Sequence, residues 1–144
     1  MKTVNEILAR KTRVGVVAVS VEATVFDAVR AMDQGNTGAV VVLDGDRLAG
    51  IFTERDLMRR VVMKTRDIGA TPVADVMTRD LIYAEGGDAA ESAMAKMTRH
   101  RCRHLPVIDG ESLVGVLSIG DLMKEISEEQ DVEIQFLKEY IYSR

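Results

Sequence analysis

The sequence predicts an α/β (α+β) fold in which two tandem β-α-β-β-α units form one compact chain. Residues 17–58 match residues 82–123 at a constant offset of 65, without a gap, and ten of the 42 aligned positions are identical. Hydrophobic periodicities repeat at the same offset, and a length of 144 residues suits one compact domain. Neither unit is long enough to bury its own sheet, so we expect the two to pack face to face and share a core.

The first helix of each unit is predicted by apolar residues at positions i, i+3, i+4 and i+7, which lie on one face of a helix. A short strand is expected before each of these helices. The apolar positions are Val25, Ala28, Val29 and Met32 in the first unit and Ala90, Ala93, Met94 and Met97 in the second.

A hairpin and a second helix complete each unit. Continuous apolar runs favour strands that are buried on both faces, and Asp-Gly after such a run is typical of a two-residue hairpin loop. The apolar runs are Ala39–Leu43 and Leu105–Ile108, followed by Asp44-Gly45 and Asp109-Gly110. The returning strands are predicted at Leu48–Phe52 and Leu113–Leu117, and the second helices begin after them at Thr53 and Ser118.

Segments outside the repeat predict further helices. Val4–Leu8 is similar to Val73–Met77, and both are expected to form a short helix that leads into the first strand of a unit. Thr65–Thr71 is the predicted linker, which divides the chain into residues 1–64, residues 65–127 and a C-terminal helix over residues 128–144. An apolar stripe in that helix is a candidate contact with a second copy or with the chain's own core, and it consists of Phe136, Leu137, Tyr140 and Ile141.

Composition and charge exclude several classes of protein. A net charge of −4 and a pI of about 5.2 disfavour a general nucleic-acid-binding protein, which is normally basic. The single cysteine rules out an internal disulfide and fits a reducing compartment. No signal peptide is visible, and no apolar run approaches the roughly 20 residues of a membrane span. We therefore expect a cytoplasmic protein.

The start of the second helix carries the candidate chemistry in each unit. A hydroxyl residue ends the strand and an aspartate follows three residues later, at Thr53 and Asp56 and again at Ser118 and Asp121. One interpretation is a capping box alone, in which the hydroxyl and the acid cap the helix. In the other, helix N–H groups attract phosphate, the hydroxyl donates to it, and the aspartate accepts hydrogen bonds from the two hydroxyls of a ribose.

The pattern G-h-h-[ST]-x-x-D-[LI], present twice after paired apolar strands, resembles a pair of CBS domains. This motif is named after cystathionine β-synthase, and its pairs are called Bateman modules. The resemblance covers residues 1–125 and includes Met77-Thr78 and Arg103–Asp109. It implies a stand-alone CBS-domain protein whose two motifs pack with pseudo-two-fold symmetry and leave two clefts between them. Members of the family bind adenosine-containing ligands in such clefts, among them AMP, ADP, ATP, S-adenosylmethionine and sometimes NAD.

The resemblance also implies which residues line each cleft. The aspartate would hold the ribose hydroxyls, while the hydroxyl residue and the residue before the aspartate approach the phosphates. One cleft would use Thr53, Arg55, Asp56, Thr78, Tyr83, Cys102 and Arg103. The other would use Ala18, Thr37, Gly38, Ser118, Gly120 and Asp121, and both Arg103 and His104 match positions that often reach phosphate. Because Glu54-Arg55 stands where the second unit has Ile119-Gly120, we expect the two clefts to differ in affinity.

The basic run TRHRCRH over residues 98–104 leaves other interpretations open. It could contact nucleic acid, although the acidic pI and the few aromatic residues available for stacking weaken that hypothesis, or it could be a solvated helix end. His100, Cys102 and His104 could suggest a metal site, but they cross from a helix into a strand and lack a fourth ligand. A nucleophilic Cys102 would need a base and an orienting acid, so a small residue beside a buried strand is favoured.

The chain carries no nucleophile–base–acid set, P-loop or G-x-G-x-x-G motif, so we expect no enzymatic activity, no metal and no catalytic cofactor. We expect a regulatory ligand-sensing module that binds adenine nucleotides between the two motifs, AMP or ATP first and NAD next. Its signal would pass through conformation or through an unknown regulated partner, and the resemblance implies a homodimer. The alternative is a ligand-free structural module for dimerisation or interaction.

Overall fold

The computed structural model describes residues 2–11 and 16–142, and each unit contains the predicted order of strand, helix, strand, strand and helix. The strands are β1 (Ala18–Ser20), β2 (Ala39–Asp44), β3 (Arg47–Thr53), β4 (Ala84–Glu85), β5 (His104–Asp109) and β6 (Ser112–Ser118). The helices are α1 (Val4–Ala9), α2 (Val25–Gly35), α3 (Glu54–Asp56), α4 (Ala90–His100) and α5 (Ile119–Tyr142). A π-helical turn over Leu57–Val62 continues α3, and a 3₁₀ turn occupies Val73–Asp75.

One six-stranded sheet holds the strands of both units in the order β1-β2-β3-β6-β5-β4. Within each unit the first strand runs parallel to the second, and the second runs antiparallel to the third. The units meet where β3 pairs antiparallel with β6, through Arg47 and Ser112. If each strand is replaced by its partner in the other unit, the order is the same when read from the opposite edge of the sheet. This symmetry confirms the predicted pseudo-two-fold arrangement.

The two hairpins form where the sequence predicts them, but each loop lies one residue later than expected. Asp44 pairs with Arg47, and the matching aspartate of the second unit is paired in the same way, so both aspartates remain in their strands. Each loop begins with a glycine of positive φ, 63° at Gly45 and 62° at Gly110. A type II′ turn requires that conformation at its first loop position, where glycine adopts it at little cost. The glycine, and not the aspartate, therefore sets the loop.

The two units do not share a core, because each has a separate cluster of buried apolar side chains. This corrects the expectation of one common core. The units meet at a strand edge, so helices cover the apolar faces of their strands. The short helix before the first unit packs in the cluster of the second unit, and the 3₁₀ turn before the second unit packs in the cluster of the first. Val4 and Ile7 of α1 lie in the cluster of the second unit, and Val73, Val76 and Met77 lie in that of the first.

Main-chain hydrogen bonds fix this exchange of short helices. Val4 N donates to Asp88 O over 2.9 Å, and Ala90 N donates to Lys2 O over 3.0 Å. In the first unit, the matching bonds run from Val73 N to Ala23 O and from Val25 N to Thr71 O, and each is 2.9 Å long. The N-terminal segment therefore runs along the second unit, and its last residues reach the region between the two units.

Helix α5 runs without a break from Ile119 to Tyr142, so the predicted C-terminal helix continues the last helix of the second unit. Its first turns are packed, and Leu122 and Glu125 are buried. Every side chain from residue 130 to residue 141 is exposed, so the apolar stripe does not fold back on the core. In the part of the chain that the structure describes, no helix combines the length and the apolar content needed to cross a membrane.

Candidate ligand site

Both predicted helix starts form a capping box. In the first unit, Asp56 N donates to Thr53 Oγ1 over 3.2 Å, and Thr53 N donates to Asp56 Oδ2 over 3.1 Å. In the second, Asp121 N donates to Ser118 Oγ over 3.1 Å, and Ser118 N donates to Asp121 Oδ2 over 2.8 Å. Both helix starts are therefore capped by their own hydroxyl and carboxylate, a geometry that both interpretations share. It holds each hydroxyl and each carboxylate beside the free N–H groups of a helix start.

The carboxylate of Asp56 is enclosed by the chain, and the residue is only 7% exposed. Thr78 Oγ1 donates to its Oδ1 over 3.0 Å, and Thr53 Oγ1 donates to its Oδ2 over 3.2 Å. Arg60 Nε lies 3.6 Å from Oδ1. Thr78 is itself fixed, because its N–H donates to Ile51 O over 2.8 Å. A ribose would have to displace these partners before it reached Asp56.

Asp121 instead faces a cleft of about 650 Å³ between the two units. Its side chain is 20% exposed. The first unit contributes Val17, Thr37 and Gly38 to the lining, and the second contributes His104, Ser118 and Asp121. Cavities of this size are typical of small-molecule sites. Because α5 begins at this wall, its N-terminal N–H groups and its dipole favour an anion in the cleft.

Cations of the N-terminal segment line the same cleft. Lys11 Nζ lies 2.9 Å from Asp121 Oδ2. Arg10 makes two ion pairs with α5, at 3.1 Å to Glu125 Oε2 and 3.0 Å to Glu128 Oε2. These positive groups suit a phosphate, but each is already paired with an acid of α5. An anionic ligand would therefore compete with α5 for them.

His104 begins β5 and faces the cleft from the second unit. Burial lowers the pKa of His104 from its ordinary value of 6.5, and the positive charges of Lys11 and Arg103 act in the same direction. The carboxylates of Glu54 and Asp121 oppose this shift without reversing it. The imidazole is therefore neutral at pH 7 and can serve the cleft as a hydrogen-bonding group.

The basic run offers no activated nucleophile. Cys102 packs against the core cluster of the second unit, and burial raises the pKa of its thiol, so the thiol stays protonated at neutral pH. His100 lies exposed at the end of α4. Among the residues that the structure describes, no three His, Cys, Asp or Glu side chains converge as a metal site.

The residues predicted for the first cleft separate into two groups. Thr53, Asp56 and Thr78 form one hydrogen-bonded group at the start of α3. Within the described residues, the other four make no hydrogen bond to this group, and they are Arg55, Tyr83, Cys102 and Arg103. Three of these four belong to the second unit, near β4 and β5, while Arg55 is exposed on α3.

The residues predicted for the second cleft mostly come together. Thr37, Gly38, Ser118 and Asp121 line one cavity, and His104 lines it with them. Ala18 is not in that lining, because Val16 and Val17 just before β1 occupy this part of the wall. Gly120 is also outside it. A side chain at that position would meet only Ser118 Oγ, at 3.6 Å, so no close approach requires a glycine there.

Sequence reasoning missed Arg10, Lys11 and Glu125, which line the same cleft. The match between the two short helices gave no signal for Lys11, because it places Ala9 opposite Thr78. Only the exchange of the helices between the units shows that the end of α1 reaches the acid of the second unit.

Two stretches of the chain match one family model. The model describes the CBS domain, and it matches residues 4–63 and 73–128. The chain belongs to the CBS-domain family. Its two units are therefore a tandem pair of CBS domains, as the repeated motif predicted.

Two curated relatives are named for their CBS domains. The mitochondrial CBS domain-containing protein CBSX3 of Arabidopsis thaliana is 41% identical over 123 residues, a match that covers 82% of this chain and 60% of the relative. The CBS domain-containing protein YhcV of Bacillus subtilis (strain 168) is 37% identical over 107 residues, which covers 74% of this chain and 76% of the relative. The chain thus spans less than two thirds of the plant protein.

Solved structures of CBS proteins share the fold. A protein with CBS domains from Burkholderia ambifaria MC40-6 has 42% sequence identity and a TM-score of 0.83, over 90% of this chain and 96% of that one. The CBS domain protein PAE2072 from Pyrobaculum aerophilum was solved in complex with AMP. It has 24% identity and a TM-score of 0.76, over 88% of this chain and 99% of that one, which shows a common fold.

Proposed function

We propose that this tandem CBS pair is a regulatory module that binds an adenine nucleotide in the cleft beside Ser118 and Asp121. AMP and ATP are the first candidates, with ADP as a related ligand and NAD next. One observation carries the proposal: the capping box of α5 borders a cleft of about 650 Å³ that both units line. The AMP complex of the Pyrobaculum CBS protein, which has the same fold, supports this class of ligand.

Each part of the nucleotide has a suitable partner in the cleft. Asp121 can accept hydrogen bonds from the ribose hydroxyls, and the Ser118 hydroxyl can donate to a phosphate near the N-terminus of α5. The valines of the lining offer an apolar wall to the adenine. Neutral His104 can donate or accept one hydrogen bond without adding charge.

The two CBS domains have unequal roles in this proposal. Asp56 is buried and bonded to Thr53 and Thr78, so its role is to hold the first unit together. Asp121 keeps an exposed fraction and borders the open cleft. One nucleotide per chain is the expected stoichiometry, in keeping with the different affinities that the two motifs predict.

The output would pass from the cleft to other molecules. A ligand that touches both units favours one relative arrangement of them, in proportion to its difference in affinity for the two arrangements. Helix α5 leads from the cleft to the exposed stripe near Phe136, which supports a homodimer or a regulated partner on that surface. The division at residues 64 and 127 and the cytoplasmic location stay predictions.

A ligand-free interaction module is the second candidate function. Both capping boxes are made by groups of the chain itself, and the exposed stripe on α5 supports a role in assembly alone. Isothermal titration calorimetry with AMP, ADP, ATP, NAD and S-adenosylmethionine separates the two functions. The ligand-sensing function predicts saturable heat for at least one adenine nucleotide, at one site per chain. No heat from any of the five would favour the module without a ligand.

A further inference from the structure

Different groups contact the two aspartates and the strand carbonyls beside them. In the first unit, Thr78 N–H donates to Ile51 O over 2.8 Å, and Thr78 Oγ1 donates to Asp56 over 3.0 Å. Val116 and Asp121 are the repeat partners of Ile51 and Asp56 at the offset of 65. The corresponding contacts in the second unit are therefore those made to Val116 O and Asp121.

Lys11 makes both of these contacts. Its Nζ donates to Val116 O over 2.8 Å and lies 2.9 Å from Asp121 Oδ2. One ammonium group thus meets the same carbonyl and the same carboxylate that the backbone and hydroxyl of Thr78 meet in the first unit. The side chains of Lys11 and Asp121 are only 27% and 20% exposed, so water screens this pair partially.

The ammonium group opposes the binding of an uncharged ligand in the cleft. The ribose of a nucleoside must displace Lys11 from Asp121, and it replaces a charge-assisted bond with neutral hydrogen bonds. The displaced ammonium is then left without its partner in a partly buried place, which is unfavourable. A phosphate changes this balance, because the flexible four-carbon stem of lysine lets the ammonium turn from the carboxylate to the phosphate.

We propose that Lys11 determines specificity in this cleft, by favouring phosphorylated adenosine over adenosine itself. It pairs with Asp121 when the cleft is empty and with the phosphate when a nucleotide is bound. This inference rests on the proposed function, since it assigns a role within the same adenine-nucleotide site. Lys11 would do more than attract anions in general, because its side chain would favour the nucleotide and oppose the nucleoside.

The test compares AMP and adenosine binding by isothermal titration calorimetry in the wild type, Lys11→Met and Lys124→Met. Lys124 lines the same cleft from α5, so its substitution removes the same charge from the same cavity. Lys11→Met is expected to weaken AMP about fivefold and to strengthen adenosine about fivefold, as for one partly exposed charged contact. Lys124→Met is expected to weaken AMP and leave adenosine unchanged. Thermal melts establish that each variant is folded.

Opposite changes for the two ligands, found in Lys11→Met alone, would support the inference. If Lys11→Met weakens AMP and leaves adenosine unchanged, as Lys124→Met does, Lys11 is merely a surface charge and the inference is overturned, while the proposed function stands. If neither ligand binds to the wild type or to Lys11→Met, the inference is overturned, and the proposed function is contradicted as well when ADP, ATP and NAD also give no heat.

Discussion

Asp56 and Asp121 occupy matching positions of the repeat but have different neighbours. Both accept a hydrogen bond from the N–H of a hydroxyl residue three positions earlier, so their local geometry is the same. Thr78 then closes over Asp56 with a neutral hydroxyl, whereas Lys11 meets Asp121 with a charged and mobile side chain. A fixed partner suits a structural carboxylate, and a displaceable partner suits a ligand site.

Substitution of the two aspartates by asparagine is expected to separate these roles. Asp121→Asn should weaken AMP binding at least tenfold, because asparagine accepts fewer hydrogen bonds from a ribose than a carboxylate does. Asp56→Asn should keep AMP binding but lower the free energy of unfolding by about 1–3 kcal/mol, since a buried carboxylate with three partners is lost. Calorimetry and urea denaturation measure the two effects, and the reverse assignment would contradict the account.

His104 is expected to make stability depend on pH. Its pKa is lowered in the folded chain, so the unfolded chain binds the proton first as the pH falls below 6.5. The stabilisation is complete above that pH and is lost as the pH falls towards the lower pKa of the folded state. Urea unfolding between pH 8 and pH 5 should show this loss in the wild type, and it should be smaller in His104→Gln.

His100→Gln is the matched control for the pH series, because it removes the other histidine of the chain from an exposed helix end. Its stability should follow the wild-type dependence on pH. An equal loss of the pH dependence in both variants would show that burial at the cleft is not the cause.

At the scale of the elements, the exchange of short helices links the two CBS domains more firmly than the strand edge does. The edge joins β3 and β6 through one residue pair, Arg47 and Ser112. The exchanged helices instead place buried side chains in the core of the opposite unit, as Ile7 of α1 does with 4% exposure. The N-terminal segment thus belongs physically to the second unit.

Ile7→Ala is therefore expected to destabilise the second unit, although Ile7 lies outside its repeat. Loss of a buried isoleucine side chain should lower the free energy of unfolding by about 2–4 kcal/mol, through lost burial and the cavity left behind. Glu6→Ala, on the exposed face of the same helix, should change it by less than about 0.5 kcal/mol. Equal effects of the two substitutions in urea denaturation would contradict the packing of α1 in that core.

The exposed half of α5, residues 130–141, is the second element with an expected effect. Its stripe leaves Phe136 66% exposed and Ile141 62% exposed, and such a surface favours a contact with another molecule. Phe136→Glu should convert a homodimer to monomers, which sedimentation velocity would detect. Gln135→Glu adds the same charge on the other side of the helix and should leave the assembly unchanged. A dimer that persists in Phe136→Glu would assign the interface to other helices.

The elements of the fold could be predicted from the sequence because the repeat supplies each of them twice. The spacing of Val25, Ala28 and Met32 predicts α2, and the structure buries these three residues as a helix face. The packing partners could not be predicted in the same way. Local spacing does not show that Val4 lies in the core of the second unit, because that contact joins residues far apart in the sequence.

Those parts of the candidate site that lie close together in the sequence could be predicted. The hydroxyl and aspartate pairs follow from the motif, and the cavity lining includes Thr37 and Gly38, which the resemblance assigned to this cleft, together with His104. Lys11 was missed because its position depends on the path of the chain after α1. Whether an aspartate is enclosed or open is likewise decided by the residue that packs over it, and the motif does not include that residue.

At the scale of the whole molecule, the two units have the same fold but differ in how their aspartates are enclosed. The first unit closes over its own acid, and the second presents its acid to a cleft that both units line. The long helix that begins at that cleft ends in an exposed apolar surface. In the proposed function, this single helix would couple the ligand site to the interaction surface.

A crystal structure of the protein with AMP tests this account most directly. We expect one nucleotide per chain in the cleft, with its ribose hydroxyls on Asp121 and with Asp56 still bonded to Thr78. A nucleotide bound on Asp56, or a cleft that stays empty at saturating AMP, would contradict it.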